Sequence, residues 1–254
     1  METTNKIALL TGGSRGLGKD MALSLAKKGI NVILTYNSKK DEAEAVAAQI
    51  EQIGAKAAVL QFSAGDVKSF DGFLSEVKTI LKDKFNADRF DFLINNAGTG
   101  LNKSFTDTTE EEFDDTVNIH LKGVFFLTQK SLPIINDGGR IINISSGLAR
   151  FTMPNRAAYG TMKAAIETLT RYMARELGAR KIAVNVVAPG AIATDFSGGV
   201  VRDNPEVNAH VAAITSLGRV GQPEDIGGVV AFLCTDDARW INAQRIEVSG
   251  GMNP

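Results

Sequence analysis

Short apolar runs recur along the chain, each followed by a stretch whose apolar residues return every three or four positions. The runs predict strands near 6–11, 31–35, 57–62, 91–95, 139–145, 181–188 and 244–248. Runs such as Ile7-Ala8-Leu9-Leu10 are continuously apolar rather than alternating, which is the pattern of parallel strands covered on both faces. The stretches between them predict helices near 16–28, 40–53, 67–83, 110–135, 157–178 and 223–234. In the first of these, Leu17, Met21 and Leu25 with Ala22 and Ala26 fall on one face. Acids at Asp41, Glu42 and Glu44, and at Glu110 to Glu112, suit the positive end of a helix dipole. Strands alternating with helices imply right-handed crossovers. The expected fold is α/β, a Rossmann-type doubly wound parallel sheet of about seven strands with helices on both faces. One domain over residues 1–254 is expected at this length. The long stretch without a period is Gly190 to about Pro205, and a substrate lid is expected around 190–215.

Composition and charge mainly exclude. A net charge of −1 offers no electrostatic reason to expect nucleic acid or an anionic membrane as a partner. The single cysteine, Cys234, excludes an internal disulfide and suits a reducing, cytoplasmic setting. It follows the apolar Val229–Leu233 and reads as an inert core thiol. The polar start, Met1 to Lys6, lacks a signal-peptide pattern, and no apolar run approaches membrane-helix length. No metal site is expected.

Candidate chemistry begins at Thr11-Gly-Gly-Ser-Arg-Gly-Leu-Gly18, on the turn from the first strand to the first helix. A helix N-terminus offers unpaired N–H groups and a partial positive charge, and glycines let a pyrophosphate approach them. The spacing of Gly12, Gly16 and Gly18 differs from the usual G-x-G-x-x-G, and a glycine turn at such a junction also serves packing alone. After the second strand, Tyr36-Asn37-Ser38-Lys39-Lys40 contains no acid to hold a ribose 2′-OH. Arg15, Asn37 and Ser38 can instead receive a 2′-phosphate, so NADP is preferred, with NAD possible. The plainer reading leaves Arg15 and Lys39 as solvated cations. Ser145-Ser146 closes the fifth strand, and Tyr159 and Lys163 share one helix face. A phenol titrates at about 10, and an adjacent ammonium is expected to lower that value. Ser146 can hydrogen-bond a substrate oxygen in the crevice where the glycine turn opens. Each residue alone is commonly structural, and their combination carries the reading.

With these residues the chain resembles the classical short-chain dehydrogenase/reductase family over nearly its whole length, most of all its 3-oxoacyl-carrier-protein reductase-like branch. The resemblance rests on Thr11-Gly12-x-x-x-Gly16-x-Gly18, Asn95-Asn96-Ala97-Gly98, Ser146 with Tyr159-x-x-x-Lys163, Asn185-x-Val187-x-Pro189-Gly190, Thr194, Gly218-Arg219 and Gly250-Gly251. It implies catalysis by Ser146, Tyr159 and Lys163, with Lys163 also holding the nicotinamide ribose. The implied cofactor contacts are Gly12, Ser14, Arg15, Gly16, Leu17, Gly18, Tyr36, Asn37, Ser38, Ser63, Ala64, Asn96, Ala97, Gly98, Tyr159, Lys163, Pro189, Gly190, Ile192 and Thr194. It further implies a homotetramer through the helices near 110–135 and 157–178.

Two positions depart from the family pattern. His120 stands where the family has a relay asparagine, while Asn118 lies two residues early and is expected to point elsewhere. A relay histidine titrating near 6.5 is expected to add an acidic limb to the rate profile; a packed histidine is the competing account. Ser63-Ala64 occupy the place of the acid that meets the adenine, with Asp66 displaced.

The expected activity is interconversion of a ketone or aldehyde and an alcohol by hydride transfer. An NAD-dependent sugar or steroid alcohol dehydrogenase is the alternative enzyme, and a non-catalytic dinucleotide sensor on the same fold is a third reading. Leu148, Arg150, Phe151, Met153, Phe196 and Val200 are the candidate substrate contacts, with Arg150 a possible partner for an anionic group.

Overall fold

A computed structural model describes residues 5–254; the polar lead Met1–Thr4 lies outside the described residues. Seven strands form one sheet: β1 (Ile7–Leu10), β2 (Asn31–Tyr36), β3 (Ala57–Gln61), β4 (Phe90–Asn95), β5 (Ile135–Ile144), β6 (Ala183–Pro189) and β7 (Arg245–Val248). Their order is β3-β2-β1-β4-β5-β6-β7, and every pairing is parallel. The helices are α1 (Gly16–Lys27), α2 (Lys40–Ile53), α3 (Phe70–Phe85), α4 (Glu110–Val117), α5 (Gly123–Ser131), α6 (Ala157–Leu177), α7 (Val200–Asp203), α8 (Pro205–Ala213) and α9 (Glu224–Leu233).

The continuous apolarity of β1 has a direct cause. Ala8 and Leu10 point into a core made with Met21 and Leu25 of α1, Val46 and Ile50 of α2, and Ile226 and Val230 of α9. Ile7 and Leu9 point the opposite way, against Phe70, Val77 and Leu81 of α3 and Leu127 of α5. Neither face of the strand meets water, so no position needs a polar residue. Each such side chain, once buried, contributes about 1.5–3 kcal/mol relative to exposure.

Strand order reverses at β1. The chain runs outward through β2 and β3, then returns to place β4 on the other side of β1. The helices that follow β1 and β4 therefore pack on opposite faces, and a crevice opens at the carboxyl ends of the strands.

Three segments differ from the sequence expectation. The helix expected over 110–135 is interrupted: a π turn spans Asn118–Lys122 between α4 and α5, and a 3-10 turn at Leu132–Ile134 ends the run. At the close of the π turn, a Cβ on Gly123 would sit 2.1 Å from the Ala64 carbonyl, so the widened helix meets the turn after β3 backbone to backbone. β5 starts at Ile135, earlier than expected, and carries a register shift against β4 between Phe90 and Phe92. The stretch after Gly190 is not irregular throughout. It holds a short 3-10 turn at Phe196–Gly199, then α7 and α8. Asn204 caps α8 by accepting from the Glu206 and Val207 amides, ahead of Pro205 at the first helical position. That cap is visible in the sequence. Weak amphipathicity over nine residues hides the helix that follows it.

Among the described residues, no helix is long and apolar enough to cross a membrane.

Candidate active site

The glycine turn is held by its neighbour rather than by its own hydrogen bonds. Asn96, just past β4, donates from Nδ2 to the carbonyls of Thr11 and Gly12, both at 2.9 Å. Thr11 Oγ1 accepts from the amides of Asn96 and Ala97, both at 3.0 Å. The Gly12 amide donates to Thr35 Oγ1 of β2 at 3.1 Å. Gly12 and Gly16 have φ of +69° and +53°, a region costly for residues with a Cβ. Gly18 is required for a different reason: a Cβ there would lie 1.9 Å from the Gly12 carbonyl. The N-terminus of α1 carries no side-chain cap and no acid in its first turn. Its amides and dipole are therefore left for an anion, which is the condition a pyrophosphate needs.

The turn opens into a cavity of about 750 Å³. Each of the twenty residues expected at the cofactor lines it, from Gly12, Ser14, Arg15 and Leu17 through Ser63 and Ala64 to Pro189, Gly190, Ile192 and Thr194. Beyond β2 its wall is Tyr36, Asn37, Ser38 and Lys39, with no carboxylate. Arg15 lies 4.0 Å from Asp195 and Lys39 lies 3.9 Å from Glu42. Such exposed, long-range pairs hold their cations weakly, so both are free to turn to a phosphate. Asp66 also lines the cavity, but its carboxylate accepts from the Lys68 amide and caps a 3-10 turn.

Ser146, Tyr159, Lys163 and His120 converge on the far side of the same cavity. Lys163 Nζ donates to the Ile144 carbonyl at 2.8 Å and lies 5.5 Å from the centre of the Tyr159 ring. The expected lowering of the phenol by Lys163 is corrected here. Burial is the largest influence and pushes Tyr159 up to about 12; the Arg156 charge and the nearby Ser146 hydroxyl act the other way. Burial also pushes Lys163 down to about 8. Desolvation moves both groups toward neutrality. The sheet end beneath them is braced by Asn95, which donates to Asn143 Oδ1 at 2.8 Å and Thr128 Oγ1 at 3.1 Å, and by Asn143, which donates to Thr170 Oγ1 at 2.9 Å.

His120 is 2% exposed. Its Nε2 donates to the Thr99 carbonyl at 2.9 Å, and its ring meets the Tyr159 ring edge-on at 5.3 Å. A carbonyl only accepts, so Nε2 carries the proton and the neutral ring keeps its Nδ1 lone pair, which has no partner among the described residues. Burial, and then the nearby Lys163 charge, depress its pKa to about 3. The acidic limb expected of a histidine titrating near 6.5 is therefore corrected: the ring stays neutral at ordinary pH. Asn118 is corrected too. The π turn brings both Asn118 and His120 to the cavity wall, as such turns often do at functional sites.

Leu148, Phe151, Met153, Phe196 and Val200 line the cavity as expected. Arg150 does not. Its guanidinium makes paired 2.8 Å bonds to Glu247 and a third to the Met252 carbonyl, so it meets no substrate anion. The thiol of Cys234 is buried in the core and pushed upward by desolvation. Arg156, Val207, Val211 and Met252 line the cavity without having been foreseen. The chain segments that carry them reach the site only through folding of the 190–215 stretch and the C-terminal loop; only Arg156, close to Tyr159 in sequence, was open to notice.

A family model described as Enoyl-(Acyl carrier protein) reductase matches residues 12–253. The chain is 36% identical to the hydroxynaphthalene reductase-like protein Arp2 of Metarhizium brunneum, over 97% of this chain and 94% of that protein. It is 38% identical to the 3-oxoacyl-acyl-carrier-protein reductase FabG of Staphylococcus aureus, over 97% and 98%. Among solved structures, the angucycline C-6 ketoreductase LanV with bound NADP superposes with a TM-score of 0.94 at 37% identity, covering 99% of this chain and 96% of that one. The chain belongs to the short-chain dehydrogenase/reductase family, and is an oxidoreductase of carbonyl and alcohol groups.

The buried histidine ties stability to pH. Its folded pKa, about 3, lies below the unfolded value near 6.5. The unfolded chain therefore takes up the proton first, and stability present above pH 6.5 is lost as pH falls toward 3. Between pH 7 and pH 5 the wild type is expected to lose ~2 kcal/mol more than His120→Asn. Urea unfolding at the two pH values measures this, and equal losses would show that the ring is solvated.

Proposed function

We propose that the chain reduces a ketone or aldehyde to an alcohol at the expense of NADPH, with Tyr159 as proton donor. The observation that carries this reading is the buried Tyr159 phenol, with Lys163 Nζ 5.5 Å from its ring centre and Ser146 on the wall of the same cavity onto which the glycine turn opens. Bound NADPH supplies the hydride that the carbonyl carbon accepts. The cofactor fits the residues present: uncapped amides at α1 for the pyrophosphate, Ser38, Asn37 and Arg15 for the 2′-phosphate, and no carboxylate after β2 to repel it. Lys163 and Tyr159 would hold the nicotinamide ribose, and Thr194, which lies beside Gly16, would hold the carboxamide.

A neutral phenol donates, so below about pH 12 Tyr159 can give its proton to the carbonyl oxygen as the hydride arrives. Ser146, whose Oγ accepts from the Leu148 amide at 3.2 Å, orients the substrate oxygen. Lys163, lowered to about 8, is poised to reload the tyrosine. His120 Nδ1 accepts from the water or hydroxyl that completes the proton path, the part an asparagine plays in other members. The stretch 190–215 covers the substrate as a lid on this single domain. The relatives named for hydroxynaphthalene and angucycline reduction favour a fused aromatic ketone, in keeping with Phe151, Met153, Phe196 and Val200 on the wall. The intact Ser146, Tyr159 and Lys163 speak against a mere sensor. A cytoplasmic homotetramer completes the reading. The half-exposed Phe113 of α4 and the more exposed Phe105 and Tyr172 (84% and 65%) leave apolar area beside α4 and α6 for a partner copy.

Three outcomes follow from these roles. Tyr159→Phe should lower kcat by about 10²–10⁴ while leaving NADPH affinity close to wild type, read by turnover and cofactor titration. Near-normal turnover would remove Tyr159 as the acid. Ser38→Asp should move cofactor preference from NADPH toward NADH by roughly tenfold or more in kcat/KM, since a carboxylate repels a 2′-phosphate. A wild type already faster with NADH would overturn the assignment of Arg15 and Ser38. Light scattering should give the mass of four chains, and a monomer mass would refute the assembly.

A further inference from the structure

Arg156 is the cation at the substrate end of the cavity. It is half-buried and immediately precedes α6, three residues before Tyr159. Its Nη1 donates to the Leu101 carbonyl at 3.1 Å. Among the described residues no carboxylate lies within ion-pairing distance of it, whereas Arg15, Arg150 and Arg202 each face one.

Its position also works against the helix it precedes. The cap residue of a 21-residue helix is normally a small oxygen-bearing side chain. A cation there opposes the dipole, and α6 has no acid in its first turn to offset it. Local rules broken without compensation tend to mark function. Here the guanidinium and the helix end add their positive potential at one point of the cavity.

That point is where the substrate's far side must lie. The segment containing Leu101 is tied to the start of α6 twice, by Arg156 and by the Lys103 amide, which donates to the Asn155 carbonyl at 3.0 Å. A Cβ on Gly100 would come within 3.1 Å of the Phe196 ring, and the Phe196 and Tyr159 rings lie 6.0 Å apart. Arg156, Tyr159, Phe196 and the apolar Phe151 and Met153 therefore bound one compartment. Only one of the five guanidinium N–H groups has a partner.

We infer that Arg156 determines specificity: its guanidinium receives an acidic oxygen, carboxylate or phenolate, on the aromatic ring of the ketone whose carbonyl is seated at Tyr159. The inference rests on the reductase reading above and adds the chemical class of its substrate. Apolar walls hold the ring, the free N–H groups pair with the anion, and the partly dry cavity strengthens that pair over its value in water.

The test compares 4-acetylbenzoate with 4-acetylbenzamide, which match in shape and differ in charge. Wild type should prefer the carboxylate in kcat/KM. Arg156→Gln should lower the carboxylate-to-amide ratio about tenfold or more, chiefly through KM, and Arg156→Lys should keep most of it. Were Arg156 only a tether for Leu101, both rates would fall together and the ratio would hold, overturning the inference. A wild type without preference for the carboxylate overturns it as well. If wild type binds NADPH but reduces no carbonyl, the reductase reading fails instead. Calorimetry of 4-acetylbenzoate on the NADP⁺ complex then decides the role of Arg156. The Gln variant should bind about tenfold more weakly; equal binding, or none by wild type, overturns the proposal.

Discussion

The backbone contact between the turns leaving β1 and β4 is the constraint on which the site depends. At Gly18 a methyl group would fall 1.9 Å from the Gly12 carbonyl, and at Gly12 it would fall 3.0 Å from the Ala97 Cα. Asn96 and Thr11 then cross-link the two turns with four hydrogen bonds between 2.9 and 3.0 Å. This contact leaves the amides at the start of α1 facing the cavity, and it sets Gly98 beside the His120 ring. The two halves of the crevice are thus positioned against each other by glycines and one asparagine.

The chemical half is governed by desolvation. Three titratable side chains share one dry compartment, and each is driven toward its neutral form: Tyr159 upward, Lys163 and His120 downward. Burial is the largest influence at all three. With the phenol and the imidazole neutral, Lys163, at about 8, is the one of the three that carries charge at neutral pH. The buried amide and hydroxyl groups of Asn95, Asn143, Thr128 and Thr170 bond one another beneath them, which offsets most of their desolvation and leaves Asn95 Oδ1 without a partner among the described residues.

Much of this was legible because it is local. Strand runs covered on both faces must be continuously apolar, so the seven strands stood out, and alternation with helices left few topologies. The glycine turn, Ser146 and the Tyr159–Lys163 pair were readable from spacing, since a helix repeat or a strand-end turn places such residues without long-range information. What escaped was set by other segments. The π turn at Asn118–Lys122 arises where α4 and α5 meet the turn after β3, so helical periodicity gave the wrong facing for Asn118. Arg150 read as a substrate contact because Glu247, its partner, lies 97 residues away.

By itself the sequence determined the layered architecture, the candidate residues of the site and the missing acid after β2, because each follows from hydrophobic period or from residue type at short spacing. Tertiary structure alone decided the direction in which each pKa moves, since desolvation depends on what folds over the groups. It also decided that Arg150 is occupied and Arg156 is free, because ion pairing is settled by segments that meet only in space. The neutral His120, its Nε2 held by the Thr99 carbonyl, and the Arg156 guanidinium before α6, bonded to the Leu101 carbonyl and to no carboxylate among the described residues, are properties of the assembled cavity.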